Sequence, residues 1–181
     1  MAEIGLVTLC GALRGASFNR KLMQDAASRF AADRTTDGDL RFPLYDGDLE
    51  AESGVPEAVE TLAGQIRAAD AVIIASPEYN QSISGVLKNA LDWLSRVKGP
   101  VWKEKPVAIM SATAGRAGGA RAQYAMRLAL NPFQPRVLPG PEVLVGHAAQ
   151  QFDEAGRLID ERASAALDQL MADLRAVAAG R

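Results

Sequence analysis

The segment Ile4-Gly5-Leu6-Val7-Thr8-Leu9-Cys10-Gly11-Ala12-Leu13-Arg14-Gly15-Ala16-Ser17-Phe18-Asn19-Arg20 sets the pattern for the rest of the chain. The run Ile4 to Leu9 reads as a strand of the kind buried on both faces in a parallel sheet. Gly11 to Asn19 is a glycine-containing loop. An amphipathic stretch with Leu22, Met23, Ala26, Ala27 and Phe30 follows and predicts a helix to about Ala32, capped by Ser17 or Asn19. A strand, a loop and a helix start in this order aim backbone N–H groups and hydroxyls at any anion over the helix N-terminus. An ordinary βα turn that binds nothing has the same layout, so both readings are open on this stretch alone.

The same alternation recurs downstream. Asp33 to Asp39 is polar, with Asp37-Gly38 as a turn signal, and Leu40 to Tyr45 is expected as a short second strand. Asp46 to Pro56 reads as an acidic surface loop leading into a helix with Pro56 near its start, whose apolar stripe is Val59, Leu62, Ile66 and Ala69. Ala71 to Ala75 is the clearest strand and ends in Ser76-Pro77-Glu78-Tyr79-Asn80. Ser84 is expected to cap a helix whose apolar surface, Val86 to Val97, is wide. That helix is either buried deep in its own domain or also part of a subunit interface. Val107 to Ala112 gives a fourth strand, followed by the glycine-rich loop Thr113 to Gly119 and a helix through Arg121, Tyr124 and Leu128 that Pro132 and Pro135 stop. Extended pieces around Val137 and at Val143 to Val145 form an interrupted fifth strand. A turn at Phe152 to Arg157 precedes a last helix with Leu167, Leu170, Leu174 and Val177 at helical spacing.

Strand–helix alternation without repeats or linkers predicts a single α/β domain over residues 1–181: an open five-stranded parallel sheet of flavodoxin-like order 2-1-3-4-5, with helices on both faces in a three-layer sandwich. In that order the first, third and fourth strands are neighbours. Their three loops then meet at the carboxyl edge, beside the topological switch point where such sheets bind ligands.

Composition narrows the ligand. With 22 acidic and 20 basic residues the net charge is −2, too balanced for a broad nucleic-acid surface. One cysteine, Cys10, excludes an internal disulfide and suits a reducing compartment. The N-terminus lacks a basic signal-peptide start, and no segment approaches the ~20 apolar residues of a membrane span. A cytoplasmic protein that binds no nucleic acid and enters no membrane is the expectation. One cysteine and one histidine, His147, cannot build a zinc site, so no metal is expected. No serine sits in a Gly-x-Ser-x-Gly elbow, and His147 reads as a surface histidine rather than a catalyst.

The first loop departs from the common phosphate motifs. It has no Gly-x-x-x-x-Gly-Lys, and Leu13 stands where a dinucleotide fingerprint needs its second glycine. A cysteine-phosphatase loop needs an arginine six positions after Cys10, where Ala16 stands. What is left is a metal-free receptor for a terminal phosphomonoester, built from Arg14, Ser17, Asn19 and backbone N–H groups. The second loop offers a proline, a carboxylate, a phenol and an amide within four residues, which suits the face and rim of a planar heteroaromatic ring. Gly115, Gly118 and Gly119 let main chain approach the same ring. A phosphate pocket joined to a flat-ring pocket points to a mononucleotide, with FMN the leading candidate.

Gly11 to Asn19, Ser76 to Asn80 and Gly85-Val86-Leu87-Lys88-Asn89-Ala90-Leu91-Asp92-Trp93 together resemble the NAD(P)H-dependent FMN reductase family, and are most similar to its bacterial chromate and quinone reductase branch. The likeness covers nearly the whole chain, including the third loop and Phe152 to Leu158. It implies non-covalent FMN, with Arg14, Ser17 and Asn19 at the phosphate. It also implies that Pro77, Glu78, Tyr79 and Asn80 line the isoalloxazine, chiefly through backbone atoms, while Ser111, Thr113 and Gly115 close its other side. NAD(P)H is the implied co-substrate and quinones, chromate, azo or nitro compounds or free flavin the acceptors, in a ping-pong reaction. The chemistry then resides at flavin N5, with no protein acid or base as catalyst. The resemblance further implies a homodimer or a tetramer made as a dimer of dimers, with Arg121, Tyr124 and Glu142 joining subunits. Two positions depart from the branch: Ala12 stands where serine is common, and Thr113-Ala114-Gly115 replaces a more usual Ser-Pro-Gly. Arg116, at the pocket mouth, is either a contact for the nicotinamide nucleotide's phosphates or a solvated loop arginine. The competing functions are a flavodoxin-type electron carrier without its own nicotinamide activity, against which a charge of only −2 weighs, and a flavin-free module, against which Arg14, Ser17 and Asn19 weigh.

Overall fold

The structure is a computed structural model and describes residues 3–180. In chain order the elements are β1 (Gly5–Cys10), α1 (Phe18–Phe30), β2 (Arg34–Gly38), α2 (Gly47–Ser53), α3 (Glu57–Ala68), β3 (Ala71–Ala75) and α4 (Gly85–Leu94). They continue with β4 (Pro106–Ala112), α5 (Ala120–Leu130), β5 (Arg136–Val137), β6 (Val143–Val145) and α6 (Glu161–Ala179). All strand pairs are parallel, in the order β2-β1-β3-β4-β5, with β6 also on β4. This is the flavodoxin-like fold. The fifth lane is interrupted as expected: β5 pairs with the start of β4 (Pro106↔Arg136) and β6 with its end (Met110↔Val143). Two of the residues between them are prolines, Pro139 and Pro141, which have no N–H to donate to a ladder.

The central strands are apolar throughout because helices cover both faces. Their side chains divide with period two. Leu6, Ile73, Ala108 and Met110 pack under α1 and α6, while Val7, Leu9, Val72, Ile74, Val107 and Ile109 pack under α3, α4 and α5. The surface of α4 is explained by burial in its own chain, since Leu87, Ala90, Leu91, Trp93 and Leu94 all lie in the second core. Among the described residues no helix is long and apolar enough to cross a membrane.

The second strand is not Leu40 to Tyr45 but the polar Arg34–Gly38, paired with β1 from Gly5↔Arg34 to Leu9↔Gly38. An edge strand faces water along one side, and polar side chains there discourage further pairing, so apolar content is a poor guide to it. Thr8 Oγ1 donates a hydrogen bond to Asp37 Oδ1, tying the edge to its neighbour. Gly38 is no turn residue: a Cβ there would lie 2.5 Å from Leu9 Cδ2 and 2.7 Å from Leu62 Cδ1. The apolar stretch that follows is fastened to α4 instead. Pro43 O accepts from Asn89 Nδ2 at 2.9 Å and Trp93 Nε1 at 2.8 Å, and Tyr45 N donates to Asn89 Oδ1 at 2.8 Å. Within the expected surface loop, Asp46 caps the short α2 by accepting from Asp48 N at 2.9 Å. No residue of α2 is buried.

Candidate cofactor-binding site

The first loop leaves β1 where Gly11 N donates to Ala75 O at 2.8 Å, extending the ladder by one residue. Only glycine fits there, because a Cβ would stand 2.7 Å from Ser76 Oγ and 2.9 Å from Ser84 Oγ. The loop then rises into solvent through Arg14 and returns at Ser17, whose N donates to Arg14 O at 3.2 Å. Ser17 is the N-cap of α1, accepting from Asn19 N at 3.2 Å. The positive end of a 13-residue helix is thereby set at the loop. Asn19, 3% exposed, spans the gap to β4 with both ends of its amide: Nδ2 donates to Ala112 O at 2.8 Å and Oδ1 accepts from Ala112 N at 2.9 Å. It therefore ties the first loop to the third.

The second loop is a tight turn. Tyr79 and Ser82 exchange backbone hydrogen bonds at 3.0 Å, and Asn80 and Gln81 both have positive φ, 50° and 64°. That is the backbone of a type I′ turn, in which asparagine tolerates the left-handed region. Tyr79 is 57% exposed. Glu78 turns toward α5 and accepts from Arg121 N at 3.1 Å and Ala122 N at 3.3 Å. The third loop is anchored on the chain around β6: Thr113 N donates to Val145 O at 2.9 Å and Ala148 N to Thr113 O at 3.0 Å. Beneath it, Ser111 Oγ donates to Gly118 O at 2.6 Å, and Gln123 Nε2 donates to Ser111 Oγ and Val143 O, each at 2.9 Å.

The three loops enclose a cleft of about 590 Å³, within the ~300–1,000 Å³ typical of ligand sites. Of the expected residues, Arg14, Ser17, Asn19, Pro77, Glu78, Tyr79, Thr113 and Gly115 line it. Asn80 and Ser111 do not: Asn80 is exposed in the turn beyond the wall, and Ser111 is fully buried as a prop under Gly118. Phe18 and Arg121 also line the cleft. Neither was expected there, although Phe18 lies inside the stretch that gave Ser17 and Asn19. Arg14 and Arg116 are exposed on the cleft and form no ion pair with a carboxylate among the described residues. Two free guanidinium groups beside a helix N-terminus suit an anionic ligand.

Cys10 lies at the base of the first loop, 6% exposed, and burial pushes its thiol pKa up. A buried, protonated thiol is a poor nucleophile. His147 is exposed and lies outside the cleft, its N donating to Gly115 O at 3.4 Å. Tyr124 and Leu128, 63% and 75% exposed, mark an uncovered apolar strip on α5. Glu142 is exposed in a separate groove with Asp160 and Arg162, and no ion pair joins it to Arg121 among the described residues.

Fold and cleft are those of a mononucleotide-type binding protein: a doubly wound parallel sheet with a cleft at the switch point that exposed arginines flank. The family described as NADPH-dependent FMN reductase matches residues 4–150, and the chain belongs to that family. An NAD(P)H-dependent FMN reductase of Pseudomonas aeruginosa is 41% identical over 175 residues, covering 96% of this chain and 94% of the relative. A quinone reductase of Escherichia coli K12 is 41% identical over 180 residues, covering 96% and 93%. Among solved structures, FerB, a flavoenzyme NAD(P)H:(acceptor) oxidoreductase from Paracoccus denitrificans, has a TM-score of 0.86 at 28% identity, covering 99% of this chain and 98% of that one.

Proposed function

We propose that the chain is a single FMN-binding domain that acts as an NAD(P)H-dependent oxidoreductase, reducing quinones or similar small acceptors. The observation that carries this reading is the cleft, in which the cationic first loop and the walls Pro77–Tyr79 and Thr113–Gly115 meet. The residues fit FMN by their chemistry. Arg14, the Ser17 hydroxyl and the α1 N-terminus suit a terminal phosphate dianion. Tyr79, Pro77 and glycine-bearing main chain suit a planar ring. FMN, when bound, supplies two-electron chemistry between a nicotinamide and an acceptor.

The protein's part is positioning and electrostatics. Asn19 holds the first and third loops in register through Ala112. Backbone N–H groups at the ring's polar rim favour added negative charge there. Arg116, free at the mouth, suits the phosphates of a nicotinamide nucleotide. No side chain is assigned as a catalytic acid or base. The reading extends to a cytoplasmic location and to a dimer or tetramer built on Arg121, Tyr124 and Glu142, which the exposed Tyr124–Leu128 strip supports.

Purified protein is expected to be yellow, releasing one FMN per chain, and to bleach anaerobically with NADH or NADPH and reoxidise with a quinone. A colourless protein that takes up no FMN would end the reading, and a flavin that neither nicotinamide bleaches would make the chain an electron carrier instead. Replacing Arg121 or Glu142 with alanine is expected to lower the sedimentation coefficient of the assembly; an unaltered profile would exclude these contacts.

A further inference from the structure

The helix α5 begins without a cap of its own. Its N-cap residue, Gly119, has no side chain to offer the first turn. The acceptor comes from 43 residues earlier: Glu78 Oε2 takes the N–H groups of Arg121 and Ala122, and the Arg121 guanidinium lies 3.7 Å from the other oxygen. A side-chain oxygen within reach of first-turn N–H groups caps a helix, and a neutral amide oxygen serves there about as well as a carboxylate. Glu78 is 17% exposed, so these contacts are only partly open to water. The tips of both neighbouring loops, Tyr79 to Gln81 and Ala114 to Ala117, are exposed, and their hydrogen bonds run within each loop or to the chain around β6 rather than to each other.

We propose that Glu78 is a positioning residue for the flavin, a latch that fixes the Pro77–Tyr79 wall of the cleft against the start of α5 on the opposite wall. This rests on the reading that the cleft holds FMN. Among the described residues no other hydrogen bond or ion pair joins the Pro77–Tyr79 wall to α5, so without the latch their separation at the ring is no longer set by a polar contact. Glu78 thus lines the cleft and acts on it through α5.

Three substitutions in the full chain separate the latch from other roles. Glu78→Ala removes both acceptor oxygens. Glu78→Gln keeps one oxygen at the same reach, and Glu78→Asp keeps the charge but falls one methylene short. The measurements are FMN affinity of the apoprotein by flavin fluorescence and the visible circular dichroism of the bound flavin at saturation, which reports ring surroundings rather than overall stability. Glu78→Ala is expected to raise the FMN Kd about tenfold, the size of a lost helix cap, and to change the visible spectrum. Glu78→Gln is expected to stay within about threefold of wild type with an unchanged spectrum, and Glu78→Asp to resemble Glu78→Ala.

Wild-type affinity and spectrum in Glu78→Ala would overturn the latch. So would a Glu78→Gln protein as weak as Glu78→Ala, because charge rather than reach would then be the cause. If Glu78→Ala does not fold, the order of the other two decides: Gln above Asp supports the latch, and Asp equal to or above Gln overturns it. Failure of the cofactor reading would be seen first and separately, as wild-type apoprotein that binds no FMN.

Discussion

Replacing Asp25 with alanine is expected to cost about 3 kcal/mol of stability, although Asp25 lies outside the cleft. Its side chain is 6% exposed and accepts three hydrogen bonds: from Arg29 Nε at 3.1 Å, from Arg29 Nη2 at 2.8 Å and from the buried Leu158 N at 2.9 Å. Arg29 continues into α6, donating to Asp168 Oδ1 at 2.9 Å, Ser164 Oγ at 2.8 Å and Ser164 O at 3.0 Å. One carboxylate therefore fastens α1 to the 152–158 turn directly and to α6 through Arg29. Without it, Leu158 N–H loses its acceptor and Arg29 its bidentate partner. Leaving one half of a buried ion pair behind costs roughly 3–5 kcal/mol, and the lower end applies because Arg29 is 18% exposed and keeps Asp168. For a domain of this length that is a fall of roughly 10 °C in the thermal midpoint. Asp25→Asn, which retains an acceptor for Leu158, is expected to lose about half as much. Thermal unfolding of the apoproteins measures both, and an unchanged midpoint in Asp25→Ala would mean that the network contributes nothing.

The contrast between this network and the cleft shows what a sequence of this kind makes legible. β1, β3 and β4 could be read because burial on two faces demands apolar residues at every position. The first loop could be read because a helix cap, a free arginine and a strand end lie within ten consecutive residues. β2 could not, since an edge strand is specified by its partner, and Arg34-Thr35-Thr36-Asp37-Gly38 looks like a loop until β1 is beside it. Asp25 and Arg29 have the spacing of an ordinary surface pair on a helix, i and i+4. What makes them structural is Leu158, 133 residues away. The same holds for Glu78 at α5 and for Asn19 at Ala112, whose partners are 43 and 93 residues distant. Ser111, expected against the ring, does not line the cleft, and its buried hydroxyl serves Gly118 from below. Local chemistry points to residues that line the cleft, while the contacts that hold them there are long-range.

Arg14 is the opposite case, a residue whose removal is expected to leave folding untouched and to weaken the cofactor sharply. It is exposed, lines the cleft and forms no ion pair among the described residues, so the apoprotein of Arg14→Ala should unfold at the wild-type midpoint. Arg14 lines the same cleft as Ser17, the N-cap of α1, where the phosphate is proposed to lie. A lost charge-assisted contact to a dianion is worth roughly 1.5–3 kcal/mol, or roughly 10- to 150-fold in FMN Kd. Arg14→Lys keeps the charge but not the planar fork and is expected to fall between the two. Riboflavin supplies the control, because it carries the same ring and ribityl chain without the phosphate. Its affinity should be low for wild type and no lower for Arg14→Ala. A loss shared equally by riboflavin and FMN would mean that Arg14 acts on the ring or on the loop's shape. An FMN affinity unchanged in Arg14→Ala would place the phosphate elsewhere in the cleft, with Arg116 the remaining unpaired guanidinium to receive it.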